Sequence, residues 1–505
     1  MESAINAFLI DYAIGKSEPR PHPFSTMSPY TSWESLTDRT WSGLNLAPDP
    51  AFRAGLPPVE KVLELFRRPT GHIKLSPKST VLFSSFAQWF TDGFLRTDRQ
   101  DPRRNTSNHD IDLSPLYGLS RRDTEFLRLF QGGKLKSQWI NGEEYPPFYF
   151  DSEGQVRPEF KKSASHLLPL LVPPGLPRER SAKLFAMGVE RANVHVGYVM
   201  FNTLFLREHN RICDVLAREY PHWDDERLFQ TARNILIVLL MKLVINEYIN
   251  HIAPYHFEFR LDPPIGGAKR WYRQNWMTVE FDLLYRWHSL VPDTLDLPDR
   301  RLPIVETVYN NSILIERGLG PLFDAASRQA AGEVTLGNTH PLLLETEEAS
   351  IRLGRSAELP GYNAYREANG FPRVTRFEQI SSDPEIVGGL RDVYGEVDRI
   401  EFYVGLFAED VRPDSVLPAL VGRMVGIDAF SQALTNPLVA ENIYNEQTFS
   451  PVGLKTINET HCLSDLLHRN IGEKGQRYLV TMTQEGPGTR HRTGPMRGDS
   501  PSRSS

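Results

Sequence analysis

A mainly α fold with minor β content is predicted by three observations on the 505-residue chain. Residues 225–252, DERLFQTARNILIVLLMKLVINEYINHI, keep helical periodicity throughout and turn almost wholly apolar at 235–241, as a helix sealed inside a core does. Residues 83–95, FSSFAQWFTDGFL, put a dense aromatic face on another helix. Period-two alternation is confined to 133–160 and 452–458, which read as small strands. The length fits several domains or one large helical body.

The remaining elements follow in order. Residues 3–14 form a short helix with Ile5, Phe8, Leu9 and Tyr12 on one side; it docks on the body or, alternatively, touches a membrane surface. Residues 15–55, rich in Pro, Ser and Thr, wrap irregularly, so 1–55 reads as an N-terminal segment before a catalytic domain at 56–470. Residues 59–66 are helical, 101–118 a loop, 121–131 helical, and 164–180 a Pro-rich surface run. Helical signal takes over from about 181 to 218. It returns at 274–288, 310–331, 346–355, 361–368, 375–380, 387–394, 396–408 and 412–434, ending at Asn436-Pro437. Residues 484–505, rich in Gly, Pro, Ser and Arg, have the composition of a disordered tail.

Composition excludes several classes. A net charge of −6 gives no support for nucleic-acid binding. Cys213 and Cys462 cannot make a disulfide framework, and no CxxC or HExxH marks a zinc site. The N-terminus has Glu2 and Asp11 around a short apolar run, which is neither a signal peptide nor a membrane span. The expectation is a cytoplasmic protein from a reducing compartment, soluble or held peripherally at a membrane.

The stretch with most chemistry is 278–294, TVEFDLLYRWHSLVPDT. On one helix, Tyr285 and His288 would lie three residues apart on a shared face. A buried histidine suits axial ligation of a haem iron, and a tyrosine one turn away could be oxidised through it. The same spacing fits a core histidine packed beside an aromatic.

Further blocks carry a resemblance. FAQWFTDGFLRTD, HDIDLSPLYG, LRLFQGGKLKSQWINGEEYPP, FLREHNRICDVLAREYPHWDDERLFQTAR, VINEYINHIAPYHFEF, EFDLLYRWHSLVPDT, YNNSILIERGLGPLF, RPDSVLPALVGRMVG and VGLKTINE occur in the order seen in the animal-type haem peroxidase superfamily. Across roughly 27–465 the chain resembles its cyclooxygenase and fatty-acid dioxygenase branch. The resemblance implies a haem peroxidase-like helical fold, haem b as cofactor, and His288 as axial ligand to its iron. It implies Tyr285 as the radical-forming residue, Trp287 between the two, and Tyr248 orienting Tyr285. Gln88 matches the distal glutamine. The family's acyl channel carries over onto Ile249, Ile252, Ala253, Phe281, Leu284, Met424 and Val425, with Tyr255 at its mouth. Ser431 matches the channel serine, with Ala429 the competing placement. Arg207 and Glu208 of REHN are expected to tie helices together. A homodimer and peripheral membrane contact are the implied partners beyond substrate.

Two departures stand out. Asp92 occupies the position of the distal histidine, which moves a proton between peroxide oxygens. Aspartate could substitute only with a raised pKa and sufficient reach, so weak peroxidase turnover is expected. Trp89 replaces a second histidine and is expected to press on the haem edge; His109 is the alternative source of a distal imidazole. The position of the carboxylate-binding arginine looks like Asn6, so the substrate would lose a bidentate partner there, leaving Tyr255 as the donor. No stretch resembles the family's epidermal-growth-factor-like module. Asp110 and Asp112 are the only candidates for calcium ligation. The expected activity is dioxygenation of unsaturated fatty acids to a hydroperoxide or endoperoxide, against a conventional haem peroxidase or a non-catalytic haem- and lipid-binding protein.

Overall fold

A computed structural model describes residues 2–15, 24–161, 172–253, 257–265, 269, 272, 274–412, 414–472 and 477–484. Tyr255, residues 162–171 (which include the first part of the Pro-rich run expected at 164–180) and the tail beyond 484 lie outside the described residues. The elements that position the site are α1 (Glu2–Ile14), α2 (Val81–Thr91), α3 (Val196–Glu219), α4 (Asp225–Ile252), α5 (Val279–Leu284), α6 (Leu344–Ser356), α7 (Ala419–Leu434), α8 (Glu446–Glu459) and α9 (Leu463–Ile471). Among the described residues, strand is confined to three short antiparallel pairs: 75–80 with 330–332, 138–140 with 143–145, and 294–296 with 301–303.

Helix α4 is the axis of the core. Asp224 caps it by accepting from the Arg227 N–H, and α3, α7 and α8 pack around it. It is apolar enough to span a membrane, but 78% of its most apolar window is buried within the protein, so its greasy surface is already covered. Its last third departs from α geometry: residues Val244–Ile249 form a π-helical turn, a device that re-aims side chains and recurs at functional sites. Helix α2 lies across this core. Phe83 and Phe86 are fully buried and Phe90 nearly so, each worth about 1.5–3 kcal/mol of apolar burial.

The structure corrects four local expectations. Residues 452–458 belong to α8, not a strand: they follow a kink at Ser450 (φ 63°), and Gly453 packs against Ile235 of α4. Of the helix expected from about 181, residues 182–195 are not helical: a single turn at 178–181 precedes them, and α3 starts at Val196 with His195 as its N-cap. The 101–118 loop contains one helical turn, Ser114–Tyr117. On α1, Asn6, Ile10 and Ile14 are buried, whereas Ile5, Phe8 and Tyr12 are exposed. The buried edge packs on α7, so the helix docks through a different face from the one its aromatic residues suggest. Arg207 and Glu208 do tie elements together. Arg207 holds the Glu143–Tyr145 strand, and the buried Glu208 carboxylate accepts from Arg211 on its own helix and from Arg469 and Asn470 of α9.

Candidate active site

The proximal wall begins where α5 ends. Thr278 caps the helix, its hydroxyl accepting from the Phe281 N–H at 3.1 Å, and the helix stops at Leu284. Tyr285 (φ −101°, ψ 13°) and Trp287 (φ −87°, ψ 53°) bend the chain before a 3₁₀ turn at His288–Leu290. Tyr285 and His288 therefore sit on two helical pieces, not on one as the spacing suggests. Burial of Trp287 accounts for the bend: its indole stacks with Tyr285, Phe83 and Tyr248 at centroid distances of 5.0, 5.8 and 6.3 Å.

The turn after Trp287 is clamped from behind. The buried Arg68 guanidinium donates to the carbonyls of Ser289, Val291 and Asn338 and pairs with Asp293 at 2.6 Å. His288 Nδ1 lies 3.1 Å from Oε1 of Glu347 on α6, close but off the ideal N–H direction. Glu347 is itself buried and accepts from Thr339 at 2.7 Å and Tyr403 at 2.5 Å. His288 Nε2 makes no hydrogen bond among the described residues. A ring anchored near a carboxylate at one nitrogen and free at the other is what an axial ligand needs. Arg68 and Glu347 escaped sequence reading, the first because it lies far from His288 in the chain, the second because TEEAS reads as a solvated helix face.

Tyr248, on the π-helical turn, and Tyr285 face one another. Neither hydroxyl has a partner in strict hydrogen-bond geometry, yet they are close enough to interact, and a small rotation of either would join them. Burial pushes both phenols well above the ordinary tyrosine range, so both stay protonated at any ordinary pH. Phe281 packs edge-on to Tyr285 at 5.1 Å.

The distal wall is α2 and the start of α3. Gln88 is the single exposed residue on α2. Trp89 turns the other way: fully buried, it packs on Phe201 and Phe205 and donates its indole N–H to Asn202 at 2.7 Å. Trp89 is thus a wedge between α2 and α3 and does not face the cleft as expected. Asp92 is the C-cap of α2 and is fully engaged. Arg191 reaches it at 2.5 Å, the Tyr198 hydroxyl donates at 2.9 Å, and Arg96 stands 3.7 Å away. Arg96 in turn donates twice to Glu190, which its two arginine neighbours hold below the ordinary glutamate range despite burial. Asp92 is one corner of this ion cluster, so the structure does not leave it free to shuttle a proton. His109 is no distal imidazole either. It is wholly buried, with one nitrogen on the Arg39 carbonyl (2.6 Å) and the other accepting from the Met277 N–H (2.8 Å). The imidazole that does stand beside Gln88 is His195, its Nε2 at 2.6 Å from Gln88 Oε1. Sequence reading missed it, since a histidine ahead of an apolar helix looks like a bare cap.

The expected channel residues Ile249, Ile252, Phe281, Leu284, Met424, Val425 and Ser431 are buried and Ala253 partly so; they lie on or beside α4, α5 and α7, and α7 packs on each of the other two. Ser431 donates its hydroxyl to the Ile427 carbonyl one turn back at 2.7 Å. Gln432, on the same face of α7 as Met424 and Val425, is buried with neither side-chain amide atom partnered. Asn6 bonds both ways with the Arg260 backbone, which accounts for its amide and removes it as a carboxylate partner. Asp110 accepts from Asn275 and Asp112 from the Ser114 N–H, and no cluster of three or more metal-type ligands exists among the described residues.

Comparison with known proteins identifies the family and the fold. The family described as animal haem peroxidase matches residues 78–480. The chain is 34% identical to prostaglandin G/H synthase 2 of Equus caballus over 467 residues, 89% of this chain and 74% of that protein. It is 33% identical to prostaglandin G/H synthase 1 of Rattus norvegicus over 453 residues, 87% and 72% of the two chains. Among solved structures, the fatty acid alpha-dioxygenase of Arabidopsis thaliana superposes with a TM-score of 0.73 at 17% identity, covering 97% of this chain and 90% of that one.

Proposed function

The chain belongs to the animal haem peroxidase family, and from that premise we propose that it is a haem-dependent fatty-acid dioxygenase acting through Tyr285. The cofactor proposed is haem b. The donor set fits it: His288 has one nitrogen beside Glu347 and the other unused, and Gln88 stands exposed on an otherwise buried helix. Haem supplies the oxidising power that converts the Tyr285 phenol to a phenoxyl radical.

The observation that carries the reading is the Tyr285 phenol itself, its hydroxyl buried, protonated and without a hydrogen-bond partner, with the Tyr248 hydroxyl close by. A phenol so isolated loses a proton with its electron, and Tyr248 is the group placed to steady the oxygen. The resulting radical takes a hydrogen atom from an allylic carbon of a fatty acid lying along Phe281, Leu284, Met424 and Val425. O2 adds to that carbon, and the peroxyl radical recovers the hydrogen atom from Tyr285. The balance is one C–H and one O2 converted to one C–OOH, with the tyrosyl radical regenerated. Apolar walls hold the chain and exclude water from the radical. The engaged Asp92 favours this over a conventional peroxidase. The exposed Ile5, Phe8 and Tyr12 of α1 support peripheral membrane contact; a homodimer is proposed from the family alone.

The test is oxygen uptake by the haem-loaded protein with C16–C20 acids of graded unsaturation, products resolved by chiral chromatography and the radical followed by electron paramagnetic resonance. Uptake with a tyrosyl signal and a hydroperoxide or endoperoxide product is expected. Haem uptake without oxygen consumption by any acid would overturn the reading.

A further inference from the structure

Gln88 and His195 define a distal arrangement of their own. The His195 ring caps α3: its Nδ1 accepts from the Gly197 N–H at 3.0 Å and from the Tyr198 N–H at 3.4 Å. A nitrogen that accepts two backbone N–H groups carries no proton, so the proton of the neutral ring is on Nε2. That N–H points at Gln88 Oε1, 2.6 Å away. The tautomer then decides the amide. Turned over, the Gln88 NH2 would meet the imidazole N–H, donor against donor; only the orientation with Oε1 toward His195 is satisfied. The Gln88 NH2 is left pointing away from His195, on the one exposed side of α2. Gly197 makes room for this geometry. A Cβ there would lie 2.9 Å from His195 Cε1 and overlap the Ser85 hydroxyl.

We propose that His195 is a positioning residue that locks the Gln88 carboxamide with its NH2 toward the distal ligand site, so that this side of the cleft offers a fixed hydrogen-bond donor and no base. The inference rests on the reading that a haem held by His288 occupies the cleft. Both His195 nitrogens are engaged, and protonating Nδ1 would set it against two backbone N–H groups. Burial likewise drags the ring down to about 4, leaving it neutral. His195 therefore cannot accept a proton from a bound peroxide, whereas the Gln88 NH2 can donate to a bound diatomic or peroxide oxygen.

The test uses the carbon monoxide complex of the reduced, haem-loaded protein, read by infrared spectroscopy, since a donor near the bound oxygen atom lowers the C–O stretch. The parent should show one narrow band. Gln88→Leu should shift it to higher wavenumber. His195→Asn keeps a strong N-cap acceptor for α3 but cannot reach Gln88; its band should broaden or split toward the Gln88→Leu position. In the Gln88→Leu background, His195→Asn should move nothing. An unchanged parent-like band in His195→Asn overturns the proposal, and so does an equal shift in both backgrounds, which would place His195 itself against the ligand. Should His195→Asn fail to fold, the parent decides: nitrogen chemical shifts of 15N-histidine-labelled apoprotein must report the Nε2–H tautomer, and an Nδ1–H signal overturns the proposal. A parent that takes up no haem, or whose uptake ignores His288→Ala, sinks the functional reading instead, and the tautomer measurement keeps the two failures apart.

Discussion

The wall that carries His288 is a bent chain ending in a 3₁₀ turn and the wall that carries Gln88 is an aromatic helix, yet each has a buried carboxylate against it. On the proximal side that carboxylate, Glu347, is surrounded by hydroxyls, from Thr339 and Tyr403, and keeps an oxygen within 3.1 Å of the His288 ring. On the distal side Asp92 is held by two guanidinium groups and a phenol. The difference teaches that a carboxylate at a family position has no fixed role. Its neighbours decide whether it faces an imidazole or is tied into the packing of the wall.

The largest test of the proximal half of this comparison is Tyr285→Phe. Oxygen uptake should fall below detection while the haem absorption band persists, because His288, Glu347 and the aromatic stack are untouched. Stability should change by less than about 1 kcal/mol, since the hydroxyl has no strict hydrogen-bond partner to lose. Residual uptake above a few per cent would break the assignment of the two walls to separate tasks.

On the distal half, Asp92→Leu should destabilise the fold and do little else. Breaking a fully buried ion pair costs about 3–5 kcal/mol. Arg191 retains 39% of its side-chain exposure, so a smaller loss of about 2 kcal/mol is expected in denaturant unfolding. Adding Arg191→Leu should restore part of it. Asp92→His, which the family pattern suggests would raise peroxidase turnover, should not do so, because Arg96, Arg191 and Tyr198 would surround the new imidazole. A clear rise would show that Asp92 faces the cleft after all.

These outcomes also measure how far the chain could be read before folding. Helix α4, the aromatic face of α2 and the order of the site blocks were legible, because periodicity and residue type are local and dense there. The bend between Tyr285 and His288 was not. It exists because Trp287 is drawn into a stack with Phe83 and Tyr248, residues remote in sequence. Nor was His195 legible, since its meaning depends on Gln88 lying beside it, 107 positions away in the chain. Residues 452–458 alternate well enough to mimic a strand, and only packing against α4 makes them helix. What sequence gives least is which face a polar residue will meet.

A subtler probe of the proximal wall is Glu347→Gln. It keeps shape and one carbonyl oxygen but removes the negative charge beside His288 Nδ1. Partners of this kind are typically worth 10–100-fold in ligand affinity, so haem affinity should fall by roughly ten-fold, with a raised reduction potential in the protein that still binds. An unaltered potential would mean that the off-axis contact has no electronic effect on the ring.

The smallest effect concerns what supports Tyr248. Its neighbour Glu247 points away from the phenol, accepts the Leu463 N–H at the start of α9, and burial pushes its carboxyl up to about 8 from an ordinary 4.5. The folded protein therefore binds this proton more tightly than the unfolded chain does. Stability should be greatest below about pH 4.5 as far as this group is concerned, decline as pH rises through the window between 4.5 and 8, and level off above it. Glu247→Gln should flatten that slope and raise the melting temperature at pH 8, while leaving it nearly unchanged at pH 5. If the π-helical turn transmits the change, oxygenation should lose rate as pH rises through about 8, where the folded-state carboxyl ionises, in the parent and not in Glu247→Gln. A parallel loss in both proteins would assign the pH dependence to some group other than Glu247, and would detach the orientation of Tyr248 from the packing of α9.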